Sequence, residues 1–149
     1  QRLLAPLGIQ RFAWRQGALG RELGALGLSL TTRGMARIGE LVLSEGQWAG
    51  RALLPAAFVR DATRRQSAGG YPVGQPYGYL WWVVDGGRGR QGARPAVMAS
   101  GYGGQWIFVE PALQAVVAVT SRRTPESAAR GQSLTLIRRD ILPALQRLR

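Results

Sequence analysis

The chain has 149 residues, of which 46% are hydrophobic, a composition that supports one folded domain with a core. The net charge is +12, all 20 basic residues are arginine, and lysine, histidine, cysteine and asparagine are absent. These absences exclude a disulfide, a Ser–His–Asp triad, a cysteine nucleophile and a lysine base within this chain. The arginines are scattered, which does not favour nucleic-acid binding, and no apolar run is long enough to span a membrane.

Residues 32–45 show the clearest helical pattern, because Met35, Ile38 and Leu41 recur at helical spacing on one face. Thr32 is the predicted N-cap of this helix. The preceding residues, 1–30, are glycine-rich and irregular. We expect only a helix end, a short extended piece and loops in that part of the chain.

Two further helices are predicted, at residues 55–67 and 131–148. The first begins at Pro55, since proline is tolerated in the first turn of a helix, and ends before a glycine pair. The second has an apolar stripe that would pack on a sheet. Pro143 is expected to kink or shorten it.

Four segments rich in β-branched and aromatic residues predict strands. They are residues 77–85, 96–100, 104–110 and 114–121. We interpret Trp81 and Trp82 as packing aromatics, one on each face of the sheet. The order helix, helix, antiparallel strands, helix predicts an α+β fold in one domain, residues 1–149, with an antiparallel sheet flanked by helices.

The stretch ASGYGGQW, from Ala99 to Trp106, places very little side chain between two strand-like runs. One interpretation is a tight turn or bulge between strands. The other is a strand end that a substrate approaches closely, since glycine permits such an approach. The eight residues alone leave both interpretations open.

The order of several segments resembles the C-terminal half of the serine β-lactamase-related hydrolases. These segments are LLAPLGI, GLSLTTRGMARIGELVLSEGQWAGRALLPAAFV, YGYLWW and SGYGGQWIFVEPALQAVVAVTS. The group includes class C β-lactamases, D-alanyl-D-alanine carboxypeptidases, related esterases and 6-aminohexanoate-dimer hydrolases. The resemblance extends from Leu3 to about Arg149 and depends on the series, not on any single motif. It implies a partial β-lactamase/transpeptidase-like fold and acyl transfer by a serine nucleophile, with no metal or cofactor.

The two catalytic motifs of that group, Ser-x-x-Lys and Tyr-x-Asn, are absent because the chain has no lysine and no asparagine. In the group both motifs precede the segment that matches LLAPLGI. The resemblance therefore implies that this chain is the C-terminal part of a longer hydrolase, with no catalytic residue of its own and no activity alone. Its implied partners are the missing N-terminal half of the same domain and a small-molecule ester or amide substrate. The sequence leaves the compartment open; the resemblance is compatible with a bacterial parent that is periplasmic or secreted.

A third motif of the group, usually Lys-Thr-Gly, falls on Ala99-Ser100-Gly101. Gly101 matches, Ser100 stands where threonine is usual, and Ala99 replaces the lysine, which weighs against β-lactam recognition. The resemblance implies that the backbone N–H of Tyr102 is an oxyanion donor. The candidate substrate-binding and oxyanion residues are therefore Ser100, Gly101 and Tyr102. The alternative function is a non-catalytic basic interaction module that retains the scaffold.

Overall fold

The structure is a computed structural model that describes residues 3–71, 73–84, 94–122 and 131–148. In chain order the strands are β1 (Phe12–Trp14), β2 (Leu28–Leu30), β3 (Gln47–Trp48), β4 (Arg51–Ala52), β5 (Ser67–Gly70), β6 (Gln75–Tyr77), β7 (Trp82–Val84), β8 (Ala96–Gly101), β9 (Gln105–Glu110) and β10 (Ala115–Val119). The helices are α1 (Thr32–Leu43), α2 (Ala56–Thr63), α3 (Gly131–Leu136) and α4 (Leu142–Arg147). A 3₁₀ turn covers Pro111–Leu113, and a π-helical turn, Ile137–Ile141, joins α3 to α4.

The centre of the fold is an antiparallel six-stranded sheet with the strand order β10-β9-β8-β7-β6-β5. Two small hairpins, β1–β2 and β3–β4, lie apart from this sheet. Helix α1 packs on one face of the sheet, and the helical segment from α3 to α4 packs on the other. This arrangement confirms the predicted α+β class and the antiparallel sheet flanked by helices.

Side chains of β8 and β9 alternate between two hydrophobic cores. Val97 lies opposite Val109, and this pair packs with residues of α1. Met98 lies opposite Phe108, and this pair packs against Ile137 on the other face. Because successive strand residues point to opposite sides, one pair of strands supplies both cores. Trp81 and Trp82 likewise pack against different cores, Trp81 with the first and Trp82 with the second.

Helix α1 lies unusually close to the sheet at Gly39. A Cβ atom built on Gly39 would lie 2.5 Å from Cγ1 of Val116 and 2.9 Å from Cγ2 of Ile107. The N-cap is Thr31, whose Oγ1 accepts a hydrogen bond from the N–H of Gly34 at 3.1 Å. The prediction of Thr32 as the cap was therefore wrong by one residue, since either threonine has the required hydroxyl.

The C-terminal end of α1 is fixed by Arg94, which precedes β8. Its guanidinium donates to the carbonyl oxygens of Leu43 and Val42, each at 2.8 Å. Glu45 lies 3.4 Å from Nε of Arg94 and 2.7 Å from a guanidinium nitrogen of Arg60 in α2. The terminal carbonyl groups of α1 thus gain charged donors, which a helix end needs.

The predicted strand at residues 77–85 was wrong, because the chain reverses within it. β6 ends at Tyr77, β7 begins at Trp82, and these two residues lie opposite each other in an antiparallel pair. The N–H of Gly78 donates to the carbonyl oxygen of Trp81 at 2.7 Å and closes the turn, and a Cβ atom on Gly78 would clash with the carbonyl oxygen of Ala62 in α2. Asp85, the predicted last residue of the strand, lies outside the described residues.

The predicted helix at residues 55–67 was too long. Helix α2 ends at Thr63, whose hydroxyl donates to the carbonyl oxygen of Val59 at 2.7 Å. The backbone is already extended at Arg64. The N–H of Gln66 then donates to the carbonyl oxygen of Tyr77, so this segment joins the sheet and continues into β5.

The segment predicted as a single helix at 131–148 contains the π-helical turn. The N–H of Leu142 donates to the carbonyl oxygen of Ile137, five residues earlier. Pro143, which follows at once, has no N–H and would crowd an α-helical carbonyl four residues before it. The wider turn accommodates the proline without ending the helix.

Candidate active site

A cleft of about 810 Å³ opens on the α1 side of the sheet. One wall is the end of β8 and the turn after it, and a second wall is residues 23–30, which we call the leucine-rich strap. Met35 and Ile38 of α1 lie between these two walls. The hydroxyl groups of Thr32 and Thr120, 3.0 Å apart, link the start of α1 to the end of β10 beside the cleft.

The three candidate site residues all line this cleft. Ser100 and Gly101 are the last two residues of β8, and Tyr102 begins the turn that follows. Ala99, in the position of the family's lysine, also lines the cleft and packs towards α1. The ladder between β7 and β8 ends at the pair Trp82–Met98, so residues 99–101 extend past the end of β7.

The stretch ASGYGGQW forms a tight turn and also lines the cleft. β8 and β9 form a hairpin whose last pair is Gly101–Gln105. Gly103 and Gly104, within the turn, have φ angles of +88° and +82°, which other residues rarely adopt. The turn therefore explains these two glycines. Gly101 has no such φ, and a Cβ atom there would lie 3.0 Å from Cβ of Gln105.

The turn is tied to the C-terminal helical segment by two serine hydroxyls. Oγ of Ser121 donates to the carbonyl oxygen of Gly104 at 3.1 Å and lies 2.6 Å from Oγ of Ser133. Ser133 is buried in α3. A Cβ atom on Gly104 would lie 3.1 Å from both hydroxyls, so this glycine is needed for space as well as for its φ.

The leucine-rich strap is held by Trp14 and by the backbone of the excursion between β1 and β2. Nε1 of Trp14 donates to the carbonyl oxygen of Leu23 at 2.9 Å. The N–H of Arg15 donates to the carbonyl oxygen of Gly27, also at 2.9 Å. No sequence pattern predicts this strap, because its run of leucine and glycine has neither a helical nor a strand period. The tryptophan and the flanking glycines were the only local signals.

Two aromatic residues from β6 and β7 complete the far side of the cleft. The ring centroids of Tyr77 and Trp82 are 4.5 Å apart, with the planes tilted by 54°. Burial raises the pKa of the Tyr77 hydroxyl above its ordinary value of about 10. Tyr77 therefore stays neutral at physiological pH.

Two buried polar atoms near the turn have no hydrogen-bond partner among the described residues: Oε1 of Gln105 and Nε1 of Trp106. Each orphan of this kind costs on the order of 1–3 kcal/mol. Both atoms lie on β9 at the hairpin end, beside the candidate site residues. The two described buried side-chain atoms that lack a hydrogen-bond partner therefore both lie at the hairpin end of the sheet.

The described part of the cleft offers hydroxyl groups but no base. Ser29, Ser100 and Thr120 line it, whereas no described lining residue is acidic, and the chain has no lysine or histidine. The described residues also contain no cluster of three acidic side chains that could hold a metal ion. None of the helices in the described ranges is long and apolar enough to cross a membrane. This wall alone therefore lacks an activated nucleophile.

No family model matches the chain, and no curated protein matches it. Solved structures do match. A protein assigned as a 6-aminohexanoate-dimer hydrolase from Bacillus anthracis matches 99% of this chain with a TM-score of 0.73 and 22% identity. A protein assigned as a β-lactamase from Bacteroides dorei matches 97% with a TM-score of 0.69 and 15% identity. A penicillin-binding protein homologue from Caulobacter crescentus matches 76% with a TM-score of 0.56 and 22% identity.

The matched regions are 37%, 49% and 34% of those three chains, in the same order. This chain therefore spans about half or less of the structures that it resembles. The matches show that it has the serine β-lactamase-related fold, and they confirm the resemblance seen in the sequence. At this level of identity they show the fold alone.

Proposed function

We propose that this chain, which has the serine β-lactamase-related fold, forms one wall of the active site of a serine hydrolase that cleaves esters or amides. One observation carries the proposal: the end of β8 and its turn, with Ser100, Gly101 and Tyr102, line the principal cleft. The nucleophilic serine and its activating base come from residues outside this chain. The alternative, a non-catalytic basic interaction module, is not favoured by the cleft, because none of the scattered arginines in the described ranges lines it.

In the proposed reaction, the serine oxygen attacks the substrate carbonyl carbon, and the serine proton passes through the base to the leaving group. The negative charge that develops on the carbonyl oxygen is stabilised by the backbone N–H of Tyr102 and by the N–H of the nucleophile itself. One such donor is worth about 2.7–4 kcal/mol of transition-state stabilisation. Water then attacks the acyl-enzyme and releases the acid. Gly101 keeps the strand end clear of the substrate.

The proposed partner is the N-terminal half of the same domain, and the edge of the sheet supports it. Within the described residues, β10 pairs only with β9 and leaves its other edge without a strand neighbour. Its sequence, AVVAV, is apolar and half-buried. An apolar edge strand is a ready template for another strand. We expect this 149-residue chain alone to associate or to bind a hydrophobic dye; a monodisperse monomer with a cooperative melt would contradict that expectation.

The experiment begins with the gene. We expect the reading frame upstream of Gln1 to encode Ser-x-x-Lys and Tyr-x-Asn, and the longer protein to hydrolyse p-nitrophenyl esters. This chain alone is expected to show no hydrolysis and no labelling by a fluorophosphonate probe. An upstream frame without these motifs, or stoichiometric serine labelling of this chain alone, would contradict the proposal.

Three substitutions in the longer protein then test the wall. Gly101→Val is expected to lower kcat/KM at least about a hundredfold, because its branched side chain enters the space proposed for the substrate. Tyr102→Phe retains the backbone N–H and should have little effect, and Ser100→Ala should be intermediate. Melting temperatures measured alongside separate a local effect from unfolding. Near-full activity of Gly101→Val at unchanged stability would show that the strand end does not line the active site.

A further inference from the structure

The cleft differs from the rest of the chain in its charge. About a fifth of all residues are charged, so a wall of 21 residues taken at random would include about four charged ones. Among the described residues, 21 line the cleft, and none is arginine, aspartate or glutamate. Although the net charge of the chain is +12, none of the described arginines lines this cleft.

The lining is apolar where a ligand would first meet it. Leu26 of the strap and Leu80 of the β6–β7 turn are 58% and 54% exposed, respectively, and both line the cleft. Tyr102 adds a third exposed edge at the hairpin turn. Burial of apolar ligand surface against such side chains is favourable by about 25 cal/mol per Å².

A carboxylate would find no compensating charge among the described residues of this wall. An anion that leaves water loses strong hydration and recovers it only from a cation or from several aligned donors. The position that could hold a cation is filled by Ala99, whose methyl group packs towards α1. The polar lining groups are hydroxyl and amide groups, which suit neutral ligands.

We infer that this cleft takes the uncharged, apolar acyl or leaving group of a neutral ester or amide, and that it discriminates against substrates that bear a carboxylate at this wall. The inference rests on the proposed function only where it calls the ligand a substrate. The preference for neutral ligands is attributed to residues of this chain. It narrows the open choice among ester, amide, peptide and β-lactam substrates to the neutral, apolar ones.

The test compares two ligands with one carbon skeleton, 4-phenylbutanamide and its anion analogue 4-phenylbutanoate, binding to the longer protein, because this chain alone is expected to associate. The preference is read from tryptophan fluorescence, since Trp14 and Trp82 line the cleft. Titrations are run in about 1 M salt, where the Debye length is about 3 Å and the general attraction of a basic protein for anions is screened. We expect the amide to bind at least about tenfold more tightly than the carboxylate.

Matched variants locate the effect. Leu26→Ala should weaken amide binding several-fold, whereas Leu19→Ala should not, because Leu19 is in the same excursion and 86% exposed but does not line the cleft. Ala99→Arg should improve carboxylate binding at least about tenfold by placing a cation in the wall. Equal or tighter binding of the carboxylate to the unmodified longer protein, equal effects of the two leucine variants, or no binding of either ligand would each overturn the inference. The readout involves no hydrolysis, so an inactive longer protein would overturn the proposed function without touching this result.

Discussion

The two faces of the sheet are built from alternate residues of the same strands, yet only one of them is filled along its length. On the packed face, Met98, Trp106 and Phe108 meet Ile137, and all four are at most 2% exposed. On the cleft face, the core around Val97 is fully buried at the end of β8 that lies near Arg94. At the other end of β8, the residues on this face are small, namely Ala99 and Gly101. The difference teaches that small residues at one end of β8 leave room for the cleft, while the alternate residues of β8 and β9 remain fully packed on the opposite face.

The largest expected effect lies on the packed face. Ile137→Ala should lower the free energy of unfolding by about 2–5 kcal/mol, because a fully buried isoleucine leaves a cavity that the surrounding side chains cannot fill. The matched control is Ile38→Ala in α1, which faces the cleft and is only partly buried. It should cost about 1–2 kcal/mol, since part of its surface is already hydrated. Denaturant melts of the longer protein measure both, as they do for the variants that follow, and equal costs would show that the two faces are packed alike.

The next effect concerns the closed end of the cleft face. Arg94→Ala should cost about 2–3 kcal/mol, because it removes the charged donor from the partly buried carbonyl groups of Val42 and Leu43 and one of the two arginine partners of Glu45. Arg64→Ala breaks the exposed pair with Asp61 and should cost no more than about 0.5 kcal/mol. If the two arginine variants melt together, Arg94 does not hold the end of α1.

A smaller effect is expected where α1 touches the sheet. Gly39→Ala adds a methyl group that Val116 and Ile107 leave no room for. Overpacking should outweigh the gain of about 1 kcal/mol in helix propensity and leave a net loss of about 1–2 kcal/mol. Gly131→Ala, at the open start of α3, has no neighbouring atom within 4 Å and should be neutral or stabilising. A stabilising Gly39→Ala would mean that α1 can move outward freely.

The smallest effect is a pH dependence at the far end of β9. Burial raises the pKa of Glu110 above its ordinary value of about 4.5, although its hydrogen bond from the N–H of Ala112 acts the other way. The folded state therefore binds the proton more tightly than the unfolded state, and this group's contribution to stability falls as pH rises through the window just above 4.5. Glu110→Gln should remove that fall, so its stability relative to the unmodified protein should increase from acid to neutral pH. Glu40→Gln, at an exposed position of α1, provides the baseline, and parallel curves for the two variants would contradict the prediction.

Local patterns were sufficient for the central part of the fold. The helical period of residues 32–45 and the β-branched runs from residue 96 onward are each complete within a few residues, so the α+β class and the antiparallel sheet could be predicted. The break between Tyr77 and Trp82 could not, because the turn between them is held by a hydrogen bond from the N–H of Tyr79 to the carbonyl oxygen of Ala62 in a different element. The end of α2 depends likewise on the pairing of Gln66 with Tyr77.

Part of the candidate site could likewise be predicted from the sequence and part could not. ASGYGGQW could be identified because its glycines indicate a turn or a close approach, and the structure shows that two of them lie in the turn with positive φ angles. The leucine-rich strap could not be identified, since its position depends on a hydrogen bond from Trp14 to Leu23 that no sequence period encodes. The absence of charge among the described lining residues is also a property of the assembled wall, because they come from six separate regions of the chain.

The π-helical turn at Ile137–Ile141 has a consequence for how relatives of this chain should be aligned. A hydrogen bond that spans five residues in place of four accommodates one residue more than a regular helix would. Each residue of an α-helix turns by about 100°, so a relative with a regular helix here would need one residue fewer to present the same face to the sheet. An alignment without a gap would place every residue after Ile141 out of phase, and the apolar positions of α4 would appear to face solvent. A single-residue deletion near Arg139 would restore the regular α-helical spacing, in which Pro143 crowds the carbonyl group four residues before it, so a relative with that deletion should also lack the proline.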